Sequence, residues 1–338
     1  MAKRLSEAFW GKLKFMFKKF FLGFATLLVI LILFLVIKNK DKNTLPAVDR
    51  ETKISENIIK INPGIDVYPP ELSIIGKKEY YDPTPLSSAI NTRGAEDSPF
   101  VMPDGNTLYF FFTPDPNIPV EKQVGDEVTG IYVSSKVNEE WQKAERVILQ
   151  DGGKLSLDGC EFISEDTIWF CSAREGYTGL HWFNAEYKNG GWQDWKIAPK
   201  EFEQYQVGEL HFDINGQELY FHSDRPGGKG LYDIWVSRME NGKMQTPTNL
   251  SIINSEDSDG WPFISQDENE LWFTRTYKGS PSVWRSKKID GNWQTPELIV
   301  FQFAGEPTLD RDGNLYFVHH YYKDNVMLEA DIYIAKKR

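Results

Sequence analysis

The side chains in this sequence able to do chemistry recur at a spacing of about 50 residues, a period that signals a repeat architecture. Glu96-Asp97, Asp158 with Glu161, Glu209, Asp257 with Asp259, and Glu306 each stand at the start of a short apolar segment. Two carboxylates about 5–9.5 Å apart can flank and cleave a glycosidic bond, one as acid and one as nucleophile or base. Asp97, Glu161 and Glu209 are the candidates for that work. Several carboxylates together can also hold a hard cation such as Ca²⁺. The commoner use of acidic residues at a repeated position is to cap loops and solvate a rim. The ligand-binding candidates are therefore Asp97, Asp158, Glu161, Glu209, Asp259 and Glu306, with Trp261 as an aromatic face for stacking a sugar. No cofactor is expected. No Gly-x-Ser-x-Gly, phosphate-binding loop, Gly-x-Gly-x-x-Gly or His-Glu-x-x-His pattern occurs, which leans against an enzyme.

The elements that position these residues repeat with them. Second strands read Leu108-Tyr109-Phe110, Ile168-Trp169-Phe170, Leu219-Tyr220-Phe221, Leu271-Trp272-Phe273 and Leu315-Tyr316-Phe317. Third strands carry Ile131-Tyr132, His181-Trp182, Ile234-Trp235, Val283-Trp284 and Ile332-Tyr333. Alternating β-branched and aromatic residues bounded by Asp104-Gly105, Asn215-Gly216 or Asp312-Gly313 are strand and hairpin signals. Five such units, at about 95–150, 157–200, 206–252, 257–300 and 304–338, predict an all-β, five-bladed β-propeller of four-stranded blades. The fifth unit stops one strand short. Its complement precedes the first: Tyr80–Ser87 matches Met244–Ser251 position by position, and Ile90-Asn91 matches Ile253-Asn254. Residues 80–90 are therefore expected to complete the last blade, which removes two exposed sheet edges. First strands then line a central channel and the carboxylates ring one mouth.

Asp213–Arg225, continuing through Gly230–Trp235, resembles the WD40-like repeat of TolB-type propellers. The resemblance runs over residues 80–338. The first unit departs from it by lacking Ser-x-Arg and carrying an insertion over Thr113–Gly125, and the fifth has His319-His320 instead. It implies an envelope or surface location and binding more often than catalysis, and it transfers no catalytic residue.

Two pairings are expected within the repeats. Arg174, Arg225 and Arg275 are expected to brace loops by pairing with blade carboxylates such as Asp233. With a turn at Glu165-Asp166, Cys160 faces Cys171 and a disulfide is within reach, the alternative being two buried thiols. The same counting places His211 opposite His222, a pair that more often packs than binds metal.

Charge and hydropathy add location. The 338 residues carry a net charge of −11, with 14 % aromatic residues and two cysteines, too aromatic for a disordered chain and too cysteine-poor for a disulfide scaffold. Residues 1–42 hold nine basic and two acidic side chains, so the remainder is strongly acidic and nucleic acid is an improbable partner. Phe20–Ile37 is an uninterrupted apolar run, long enough to cross a bilayer. Basic residues before it favour a cytoplasmic N-terminus. The expected layout is a basic amphipathic segment at 1–19, a transmembrane helix at 20–37, a stalk at 38–79 and an extracytoplasmic propeller at 80–338. Its expected role is a recognition scaffold for an envelope protein, peptide or glycan, against a glycoside hydrolase or a structural element of an envelope assembly.

Overall fold

A computed structural model describes residues 48–324 and 326–338 of the chain. The apolar run at 20–37 lies outside the described residues; among those described, no helix is long and apolar enough to cross a membrane. Among the described residues five antiparallel meanders follow one another. The first comprises Ala95–Val101, Thr107–Thr113, Gly130–Val137 and the short pieces Glu140–Trp141 and Glu145–Arg146. The second comprises Ser156–Ser164, Thr167–Arg174, His181–Lys188 and Gly191–Ile197. Leu210–Phe212, Glu218–Ser223 and Asp233–Glu240 form the third, edged by Lys243–Met244 and Thr248–Asn249. The fourth runs through Asp259–Ile264, Glu270–Tyr277, Ser280–Ile289, Asn292–Trp293 and Glu297–Phe301, and the fifth through Ala304–Leu309, Leu315–Lys323 and Val326–Ala335.

Second strands explain why the meanders pack on both faces. Successive side chains of a strand point to opposite faces. Leu108 and Phe110, Leu219 and Phe221, Leu271 and Phe273, and Leu315 and Phe317 are all fully buried. The intervening Tyr109, Tyr220, Trp272 and Tyr316 are buried too. A sheet buried on both sides needs a neighbour on each, which is what the repeated aromatic-Phe pair encodes.

The fifth meander obtains its outer strand from Thr84–Pro85, with Thr84 opposite Ile334 and Pro85 opposite Tyr333. Tyr80 adds a bridge to Lys337. A single parallel pairing, Ala330 with Ala95, joins the fifth meander to the first.

The stalk expected over 38–79 is corrected where it is described. Residues 48–79 lie against the meanders, because they carry complements to buried charges that the repeats leave unmatched. Arg50, 3 % exposed, pairs with fully buried Glu96 at 3.3 Å and donates to the Ile90 carbonyl at 2.6 Å, among the rings of Phe110, Phe112 and Tyr132. Lys60 bridges Glu329 and Asp331. Asp66 meets His319 at 2.9 Å. Glu71–Leu72 then adds an edge strand to the fourth meander opposite Phe301 and Val300. The helix Ile74–Glu79, capped by Ser73, ends with Glu79 bidentate on fully buried Arg285 at 2.7 and 2.8 Å. Arg285 also reaches Glu297 at 3.0 Å and Glu270 at 3.3 Å.

Candidate functional site

The site is made by a bulge in the first strands. In the second meander, Ser164 faces Thr167 and Phe162 faces Trp169, but the register then slips so that Gly159, and not Cys160, faces Cys171. Equivalent breaks fall between Asp97 and Phe100, Gly260 and Phe263, and Gly305 and Thr308. Each break begins at a residue with left-handed backbone: Ser98 (φ 48°), Cys160 (57°), Trp261 (51°) and Glu306 (54°). A bulge leaves a residue unpaired and re-aims its side chain. It also leaves the next N–H outside the ladder, and proline, which has none, follows at Pro99, Pro262 and Pro307. Glu161 stands at that position in the second meander.

Residues from the first-strand region of all five meanders line one small pocket of about 40 Å³. Its polar members are Ser98, Glu161, Glu209, Glu306 and Thr308, with the rings of Trp261, Phe100 and Phe263 and the imidazole of His211. Ser98 Oγ donates to Glu306 Oε2 at 2.6 Å, and the Glu306 amide donates to Thr274 Oγ1 at 2.7 Å. The Trp261 ring rests on His222, centroids 4.9 Å apart, and the Trp261 amide points at His222 Nδ1 at 3.2 Å. Asp97 lies beside the pocket with Oδ2 3.5 Å from Nε2 of His320. One ligand atom from each of Asp97, Glu306 and His320 can be chosen such that all lie within 4.8 Å of one another.

Electrostatics divides these carboxyls. Burial, reinforced by the charges of Glu209 and Asp97, pushes Glu161 well above the ordinary carboxylate range. Burial and the Asp97 charge push Glu209 up to about 8, against a hydrogen bond from Trp261. Glu306 is likewise raised well above its ordinary value by burial and by Asp97 and Glu209. Burial pushes Asp97 upward too, but attraction to His320 outweighs it and holds Asp97 below its ordinary value. No Lys or Arg lines this pocket. Glu161 is 7 % exposed, and neither carboxylate oxygen has a hydrogen-bond partner among the described residues.

Asp158 and Asp259 go elsewhere. Each is buried in an ion pair, Asp158 with Arg174 at 2.8 Å and Asp259 with Arg275 at 2.6 Å. Ser156 donates to Asp158 at 2.9 Å and Ser255 donates to Asp259 at 2.8 Å, so neither carboxylate is left to face the pocket. Arg225 makes no pair with Asp233. Its guanidinium stacks between Tyr205 and Trp235, while Asp233 accepts the amides of Lys229 and Gly230 and the side chain of Asn249. Cys160 and Cys171 are disulfide-bonded with Cα atoms 5.4 Å apart, in the bulged register and not face to face. His211 faces Tyr220, and not His222, because the third hairpin pairs Leu210 with Phe221 and Phe212 with Leu219 without a break. Its ring is held edge-on by Phe162 and Phe263 with centroids 4.5 Å away, and burial pushes its pKa down to about 3.

His320 is the site residue that the carboxylate repeat does not announce. Its signal is the replacement of Ser-x-Arg by His319-His320 in the fifth unit, which carries meaning only once Asp97 is known to lie opposite.

No family model matches the chain, and no curated protein matches it. Similar solved structures exist. TolB from Acinetobacter baumannii is 14 % identical with a TM-score of 0.44, covering 74 % of this chain and 57 % of that one. The chain thus spans little more than half the length of that protein. A putative TolB from Agrobacterium tumefaciens is 15 % identical with a TM-score of 0.44, covering 73 % of this chain and 79 % of its own. A GH43 glycoside hydrolase is 10 % identical with a TM-score of 0.43, covering 76 % and 54 %. The chain is similar in its all-β fold to β-propellers of the TolB type.

Proposed function

We propose that the chain is a membrane-anchored, extracytoplasmic five-bladed propeller that recognises an envelope protein, peptide or glycan at its acidic mouth. The apolar run Phe20–Ile37 with its basic flank supports the anchor. Residues from five first-strand regions lining one pocket support five blades about a common channel.

The observation that carries the binding role is Glu161, a buried carboxylate with both oxygens unpartnered. Leaving such a group unsatisfied costs several kcal/mol, which a ligand donor entering the pocket recovers. Trp261 beside it offers a flat apolar face to a sugar ring or a basic side chain. The test is the melting temperature of the full chain in detergent against oligosaccharides and lysine- or arginine-containing peptides. Ligand at a hundred times its Kd stabilises the folded state by about 2.7 kcal/mol. A shift abolished by Glu161→Gln is expected. No shift across the panel, with no protein co-purifying from membranes, overturns the reading.

A second reading, hydrolysis, is favoured by one specific contrast. Asp97 is held ionised while Glu209 is raised to about 8, the division of labour that acid–base pairs use. Glu209→Gln then abolishes turnover of a glycan while the melting temperature is retained; glycan that stays intact with the wild-type chain removes this reading.

A further inference from the structure

We propose that Asp97, Glu306 and His320 hold a divalent first-row transition metal at the acidic mouth, beside Glu161 and Glu209, which line the same pocket as Glu306. This rests on the reading of the mouth as a ligand site and names what fills its charged end. The ligand atoms of the three residues already lie within 4.8 Å of one another. Three ligands about 2.1 Å from a common ion stand roughly 3–4 Å apart, so small side-chain rotations complete the set. Nδ1 of His320 has no hydrogen-bond partner among the described residues, which leaves the ring able to turn either nitrogen inward.

An acidic cluster alone does not make a metal site. The independent observation is again Glu161, more than nine-tenths buried, lining the same pocket as Glu306 and Glu209, with neither oxygen partnered. Other buried carboxylates have either amide donors, as Asp233 has, or a paired cation. Asp158 has Arg174, Asp259 has Arg275, Glu96 has Arg50, and Glu329 and Asp331 share Lys60. The mouth glutamates have no such cation within the pocket lining, and a metal ion supplies one. An all-oxygen set suits Ca²⁺ or Mg²⁺, whereas adding imidazole to carboxylates moves the preference toward Mn²⁺, Fe²⁺ or Zn²⁺.

The full chain in detergent, stripped with EDTA and dialysed against MnCl₂ or ZnCl₂, is expected to retain one ion per chain by elemental analysis. Nitrogen coupling in the Mn²⁺ electron paramagnetic resonance spectrum is expected, and its loss in His320→Gln with at least about tenfold weaker binding. Asp97→Asn gives the same weakening should the histidine variant fold poorly. Absence of a stoichiometric ion, or His320→Gln binding as tightly as wild type, overturns the proposal. Retention with Ca²⁺ preferred and no nitrogen coupling does the same. A peptide or glycan shift that persists in EDTA leaves the recognition reading standing when the metal fails. Conversely, metal bound with no ligand shift and no protein co-purifying removes recognition and keeps the metal site.

Discussion

Substituting Glu79 by Gln tests whether residues 48–79 belong to the folded body. Glu79 reaches Arg285 through two oxygens at 2.7 and 2.8 Å and Lys337 at 2.9 Å, tying the first described helix to the fourth meander and to the C-terminus. The hydrogen bonds from Arg285 hold its carboxyl down from 4.5 to about 2, with Lys337 adding to the effect against the opposing pull of burial. At about 1.4 kcal/mol per pH unit that displacement corresponds to ~3 kcal/mol. The side chain is 25 % exposed, and solvent screening reduces the figure to roughly 2 kcal/mol. The sign follows from a depressed carboxyl: the stabilisation is complete above the ordinary range near 4.5 and disappears as pH falls through 2. Denaturant unfolding of the full chain in detergent should place Glu79→Gln roughly 2 kcal/mol below wild type at pH 7, and the gap should be about halved at pH 3. Arg285 keeps Glu297 and Glu270 in that variant. Arg285→Met instead leaves three carboxylates facing one another and should cost more, about 3–5 kcal/mol. A Glu79→Gln chain as stable as wild type at pH 7, or a gap that does not change with pH, refutes the assignment of this segment to the body.

Three further outcomes are expected. Asp158→Asn orphans a buried guanidinium at Arg174 and should lower stability by about 3–5 kcal/mol without changing ligand binding at the mouth; unfolding and binding titrations on one variant separate the two effects. Reducing the disulfide, whose cysteines are 11 residues apart, should cost about 2–3 kcal/mol in wild type and nothing in the double Cys160→Ala/Cys171→Ala variant, read from denaturation midpoints with and without dithiothreitol. Trp261→Ala should weaken a stacking ligand about tenfold with a small change in melting temperature, since its indole is half-buried and its main ring contact is His222; unchanged affinity by calorimetry would assign the ring to packing alone.

Much of the fold was legible because it is local. The Leu-Tyr-Phe strands, their Asp-Gly turns and the match of Tyr80–Ser87 to Met244–Ser251 are patterns of period two and fixed spacing. The pairing of Thr84–Pro85 with the last strand follows the match. The Arg–Asp bracing was legible as a tendency, and Arg174 and Arg275 form such pairs, but the partner of each depends on side-chain reach. Arg225 has two rings to lie between and leaves Asp233 to backbone amides. Residues 48–79 gave no signal because they have no period. Their contacts, such as Lys60 with Glu329 and Glu79 with Arg285, span more than 200 positions.

The candidate site divides along the same line. The repeat copies position as well as pattern, so an acidic or aromatic side chain at the head of each first strand can be read from the residues alone. Which of them meet depends on how the strands pack and pair. Strand alternation predicts Cys160 opposite Cys171 and puts Asp158 and Glu161, three residues apart, on opposite faces, but a left-handed residue at each bulge shifts the register by one. That shift gives Glu161 to the pocket and leaves Asp158 beside Arg174. It brings Asp97 against a histidine more than 200 residues away. A bulge is a backbone event that several side chains can occupy, here Ser, Cys, Trp and Glu, so no residue type announces it; it exists only when neighbouring strands impose it.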